Sequence, residues 1–161
     1  AAVSPSNGQF LSYQSALTGK MTWANIPAAD LQGWHGSTTR VKILPSDFSA
    51  DDGGRPLGVD DSGSDRFLKS FGSGYKMFAS LPIPTGYKAT AVKINGNDTS
   101  DVKVFEADID SKTVTSKGDG DVGTEINITD VTSDTTNYIL VQVDQAASEE
   151  IYGGYMTIAA V

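Results

Sequence analysis

From Lys76 to its end the chain alternates apolar and polar residues with a period of two, and turn residues interrupt it about every ten positions. That rhythm belongs to half-buried antiparallel strands and excludes long helices. "KMFASLPI" puts Met77, Ala79, Leu81 and Ile83 on one face. "ATAVKIN" turns Val92 and Ile94 inward and is stopped by Asn95-Gly96-Asn97-Asp98. "DVKVFEADI" alternates Val102 and Val104, then changes phase at Phe105, Ala107 and Ile109, for which a bulge is one explanation. "NYILVQVD" begins apolar on both faces, as a central strand should, and "YGGYMTIAAV" closes the sheet. Turns at this spacing suit a sandwich or barrel, not βαβ units. The 17 glycines, with frequent Ser, Thr and Asp, fit a chain of many corners. Only "SDRFLKSF" and "DQAASEE" admit a helix, of a turn or two each. The expected fold is all-β: an antiparallel β-sandwich, jelly-roll-like, with one core from about Val41 to Val161 and an N-terminal β-hairpin extension.

Two regions are expected, 1–36 and 37–161. In the first, "SNGQFLSYQSALTGKMTW" pairs Gln9–Tyr13 with Met21-Thr22-Trp23 across a turn at Thr18-Gly19-Lys20, and a Pro27-Ala28-Ala29 link follows. A lone hairpin is marginal in water. Its Phe10, Leu11, Tyr13, Met21 and Trp23, with Ile26, would each gain about 1.5–3 kcal/mol if fully buried. A homo-oligomer through this segment, a trimer above all, would bury them. In the second region Val41 and Ile43 open an alternation, and the acidic, glycine-rich "PSDFSADDGGRPLGVDDSGSDR" reads as a long ordered loop.

The net charge of −8 and pI near 4.4 argue against nucleic-acid partners and polybasic membrane anchors. No apolar run approaches the roughly 20 residues of a membrane span, so membrane insertion is not expected. No basic-then-apolar leader opens the chain, and a start at Ala1 suits a processed product or a fragment. Without cysteine, disulfides and thiolate metal sites are impossible.

Catalytic signals are weak, and an enzyme is not expected. The single histidine, His35 in "GWHGSTTR", has no Gly-x-Ser-x-Gly elbow to serve and reads as a packing residue beside Trp34. The carboxylate pairs Asp51-Asp52, Asp60-Asp61 and Glu149-Glu150 read as solvated loop charge; a glycosidase would need two carboxyls about 5–10 Å apart across a cleft. "DDSGSD" (Asp60–Asp65) and "DGDVG" (Asp119–Gly123) offer oxygen ligands of the kind Ca²⁺ takes, but without EF-hand spacing. No catalytic, cofactor or metal residue is therefore assigned, and no cofactor is expected. Asn97-Asp98-Thr99 and Asn127-Ile128-Thr129 fit the glycosylation sequon, which is common by chance. The aromatics Trp23, Trp34, Tyr75, Tyr87, Tyr152 and Tyr155 are candidates for stacking on sugar rings, but the two tryptophans read first as hydrophobic plugs of an N-terminal segment with little other core.

Gly8, Gln9, Leu11, Tyr13, Thr18-Gly19 and Trp23 fill a pattern, Gly-Gln-x-Leu-x-Tyr…Thr-Gly-x-x-x-Trp, that resembles a hairpin unit of bacteriophage tail fibres. The stretches "GWHGSTTRVKILPSDF", "FASLPIPTGYKATAVKING", "TSKGDGDVGTEINITDVTSDTTNYILVQVD" and "EEIYGGYMTIA" resemble a module of phage structural proteins, many of them marine. The resemblance implies a virion location, a stem hairpin carrying a β-sandwich head, other virion proteins as partners and attachment to a host-surface glycan. It supplies no site residues. Two other functions stand beside a virion module: a carbohydrate-binding module of a secreted bacterial protein, and a depolymerase using the carboxylates above.

Overall fold

A computed structural model describes residues 39–51, 57–61, 63–70, 74–97, 99–145 and 149–161, together with the backbone of 9–13 and 21–25. The chain divides into two units, Ala1–Thr38 and Thr39–Val161. Among the described residues all regular structure is strand, except one 3-10 turn at Pro45–Asp47. In that turn Pro45 presets the backbone, and the Leu44 N–H donates to the Asp47 carboxylate at 2.8 Å.

In the first unit β1 (Gln9–Tyr13) pairs antiparallel with β2 (Met21–Asn25), with Leu11 opposite Trp23. The expected hairpin is present. The turn between its strands, the Pro27 link, Trp34 and His35 lie outside the described residues, as do the side chains of both strands.

The second unit holds β3 (Arg40–Ile43), β4 (Phe48–Ala50), β5 (Leu57–Asp60), β6 (Phe67–Ser70), β7 (Tyr75–Pro82), β8 (Tyr87–Gly96), β9 (Asp101–Asp108), β10 (Val114–Asp121), β11 (Glu125–Thr132), β12 (Asn137–Gln145) and β13 (Ile151–Ala160). One antiparallel sheet runs β10-β9-β12-β7-β4; the other runs β11-β8-β13-β6-β5, with β3 also alongside β13. From β6 to β13 the chain changes sheet at every connection except the β9–β10 hairpin. The order β6-β13-β8-β11 then faces β7-β12-β9-β10, which is jelly-roll winding.

The core follows from the alternation. Met77, Ala79, Leu81, Val102, Val104, Ile139, Val141 and Val143 of the five-stranded sheet meet Ile43, Ala89, Val92, Ile94, Ile126, Ile151, Met156 and Ile158 of the other. Glycines permit close approaches within and between the sheets. A Cβ at Gly154 would stand 2.1 Å from the Lys93 carbonyl oxygen, inside the β8–β13 pairing. A Cβ at Gly120 would meet the Ile126 side chain at 2.8 Å, where edge strand β10 closes over β11.

Four expectations need correction. The segment read as a long loop contains β4 and β5, each too short to alternate visibly. "SDRFLKSF" is not helical: Phe67–Ser70 is β6, recruited by pairing with β5 and by burial of Leu68, so tertiary pairing overrides local preference. Of "DQAASEE", Asp144 and Gln145 belong to β12, while 146–148 lie outside the described residues. Strand β8 continues through Asn95 to Gly96 instead of stopping there.

Candidate functional site

The outward-facing residues of the five-stranded sheet are read from its register. β9 pairs with β12 without interruption from Asp101 to Asp108, so there is no bulge in β9; the irregularity lies in β10, between Ser116 and Gly118. Val102 and Val104 are buried in the core; Phe105, of opposite parity, is half-buried on the other side of the sheet, and Ala107, of the same parity as Phe105, is itself buried. The phase change in the sequence marks an apolar outer face.

Four cross-strand rows form that face. Pro82, Tyr138, Ala107 and Val114 make the first, and Ser80, Leu140, Phe105 and Ser116 the second. Phe78, Gln142, Lys103 and Asp119 follow, then Lys76, Asp144, Asp101 and Asp121. At about 6.7 Å per two residues, these rows span about 20 Å along the strands. Phe78, Phe105, Tyr138 and Leu140 are half-buried. An open depression of about 270 Å³ lies between β9 and β10, lined by Asp101, Lys103, Phe105, Ser116, Asp119 and Asp121. A wider one of about 610 Å³ at the other end is bordered by Pro82, Ile109, Thr136 and Tyr138.

The polar end is held by hydrogen bonds. The Lys103 ammonium donates to Asp144 at 2.5 Å, and the buried Gln142 amide donates to the other Asp144 oxygen. That bond and the charge of Asp144 hold Lys103 above its ordinary pKa; burial opposes them, and the charges of Asp101 and Asp119 assist. Burial works to raise Asp144, yet the bonds from Lys103 and Gln142 and the charges of Lys103 and Lys76 keep its carboxyl below the usual range. At the far end, Asp134 accepts from the Thr136 and Asn137 N–H groups at 2.8 and 2.7 Å. The Asn137 side chain accepts from the Asp134 N–H at 3.0 Å, which fixes the loop beside Tyr138. Behind this end a Lys117–Glu106 ion pair at 2.7 Å, joined by the Asn137 amide at 3.1 Å, closes the sandwich.

The residues weighed from sequence do not converge here. Tyr75 starts β7, Tyr87 packs against the core, and Tyr152 donates its hydroxyl to Glu150. Tyr155 lies on the six-stranded sheet, with its hydroxyl donated to Glu125 at 2.7 Å and Arg40 stacked over its ring at 4.0 Å. Asp60 pairs with Lys69, Asp51 and Asp61 are exposed, and Glu149 is buried with a hydrogen bond from Ser100. Asp52 lies outside the described residues. The two oxygen-rich segments stay apart: Asp60 faces Lys69, and Asp119 and Asp121 join the outer face of β10. Among the described residues no three or more His, Cys, Asp or Glu side chains are placed to hold a metal ion. The Asn97 side chain accepts from the Glu150 N–H, and Asn127 is exposed on β11. Phe78, Phe105, Tyr138 and Leu140 escaped the sequence reading. For Phe78 and Phe105 the signal is parity, since each alternates with an inward set visible in the sequence, whereas Tyr138 and Leu140 lie in a strand whose sequence shows only that it is apolar on both faces at its start.

No family model matches the chain, and no curated protein matches it by sequence. Among solved structures it is similar to the Clostridium thermocellum N-terminal endo-1,4-β-D-xylanase 10B CBM22-1–GH10 modules complexed with xylohexaose. The identity is 16% and the TM-score 0.44, over 74% of this chain and 27% of that one. At that score the likeness identifies neither a family nor a ligand.

Proposed function

We propose that the second unit is a non-catalytic carbohydrate-binding β-sandwich module that lays a glycan along the outer face of its five-stranded sheet. One observation carries this reading. Half-buried Phe78, Phe105, Leu140 and Tyr138 share one face with Gln142, Lys103, Asp144 and Asp101, beside an open depression of about 270 Å³. A sugar ring needs both: its C–H face packs on an apolar side chain, while its hydroxyls need donors and acceptors at the edge. The test is affinity electrophoresis in soluble polysaccharides, comparing wild type with Phe105→Ala and Tyr138→Ala. Retardation of wild type, weakened at least tenfold in the variants at an unchanged melting temperature, is expected. Equal retardation of all three would reject this face.

A second reading is favoured by the β1–β2 hairpin. Its register from Gln9 opposite Asn25 to Tyr13 opposite Met21 suits the fibre-stem unit that its sequence resembles. In that reading the module is the head of a phage fibre on the virion surface, trimeric through its first 36 residues, and its glycan belongs to the host surface. A light-scattering mass of three chains, falling to one without residues 1–36, would support it. A monomer at micromolar concentration would reject it.

A further inference from the structure

The two broad faces of the sandwich differ in charge. Arg40, Lys42 and Lys93 gather around Tyr155 on the six-stranded sheet, with Glu125 as the nearby acid. On the five-stranded face Asp101, Asp119, Asp121 and Asp144 stand against Lys76 and Lys103. The arrangement on the latter is unfavourable for folding alone. Asp144 is directly across from Asp101, and Asp101 directly across from Asp121, so three adjacent strands carry one row of like charge. Carboxylates directly opposite each other destabilise a sheet. Lys103 bonds Asp144, and Asp119 adds a further carboxylate in the same depression.

Resting on the reading above, we propose that this face selects uncharged glycans and turns away chains bearing carboxylates or sulfates. A neutral chain lying over Phe105 and Leu140 meets carboxylate oxygens that accept from its hydroxyls, and a part-exposed Lys103 ammonium with N–H groups beyond the one bonded to Asp144. A uronate chain in the same position brings one negative charge per sugar against the row Asp144-Asp101-Asp121. Lys103, already bonded to Asp144, and Lys76, opposite Asp144 at the end of the row, leave the face net negative. The aromatic row sets where the chain lies, and the aspartates set which chains are accepted.

Isothermal titration in 0.15 M salt tests this with neutral hexaoses of glucose, mannose and xylose, with hexagalacturonate and with hexaglucosamine. The expected result is that at least one neutral hexaose binds and hexagalacturonate binds at least tenfold more weakly. The readout for the variant D101N/D119N/D121N is the ratio of those two affinities, which should fall below threefold. D119N alone, at an exposed position, should narrow the ratio if the triple variant folds poorly. A wild-type gap under tenfold, a ratio unmoved by either variant, or hexaglucosamine binding more tightly than every neutral hexaose would overturn the proposal. Binding of charged sugars only would leave the carbohydrate reading standing and defeat the selectivity. A panel with no binding at all would defeat the carbohydrate reading itself.

Discussion

The two outer faces of the sandwich are built from the same kind of strand, yet their side chains are used differently. On the six-stranded sheet the polar groups meet one another: Tyr155 bonds Glu125, Arg40 stacks on Tyr155, and Lys88 pairs with Asp130 at 2.6 Å. On the five-stranded sheet large apolar groups lie at the surface, and like charges face each other across strands. Folding alone accounts for the first arrangement, because each contact adds a little stability. It does not account for the second, in which two local rules are broken together on one face. Such local violations belong to functional surfaces.

The largest effect should come from the pairing on which both faces depend. Gly154→Val drives a side chain into the Lys93 carbonyl, 2.1 Å from the ideal Cβ, in the centre of the six-stranded sheet. A loss of about 4 kcal/mol or more is expected, enough to unfold most of the protein in a thermal melt. An unchanged melting temperature would mean that the β8–β13 register is wrong.

A smaller effect should separate the closed end of the five-stranded sheet from the other sheet. The Lys117 hydrogen bond holds the Glu106 carboxyl below its usual 4.5; burial opposes this, and the Asn137 amide adds to it. A depressed carboxylate adds stability that is fully present above the unfolded-state value and is lost as the pH falls through the folded one. Glu106→Gln should therefore cost about 1–2 kcal/mol at neutral pH and flatten the loss of stability below about pH 4.5. Urea melts at several pH values would show it. A steep acid limb retained in the variant would assign that limb to other carboxylates.

The smallest effect concerns the aspartate row. D101N/D121N should raise stability by about 0.2–1 kcal/mol in low salt, with the gain shrinking at 1 M as screening shortens to about 3 Å. A loss would mean that these carboxylates serve the fold.

Much of the fold was legible because β7 and the first half of β9 each show one uniformly apolar parity. Met77, Ala79 and Leu81, or Val102 and Val104, leave no choice of inward face. Jelly-roll winding then follows from short turns between strands that must share one core. Strands β4, β5 and β6 were hidden, since their three or four residues lie within a segment rich in Gly, Ser and Asp, and β4 and β6 pair with β7 and β13 far along the chain. The candidate site was hidden for a related reason. Phe105 and Ala107 looked like a phase error because an apolar outer face breaks the pattern that identified the inner one. Lys103 and Asp144 are 41 residues apart, and only the β9–β12 register brings them together. The aromatics singled out from sequence were those with the most prominent neighbours; those on the candidate face were the ones sharing a sheet side.

The most direct test of the central claim is a map of amide chemical-shift changes as a neutral hexaose that binds is titrated into the protein. The outer-face reading predicts that the largest changes cluster on Phe78, Lys103, Phe105, Tyr138 and Gln142, with Tyr155, Lys93 and Thr157 of the opposite sheet unmoved. Changes centred on those three residues, or on the loops at either end with the five-stranded face silent, would contradict it.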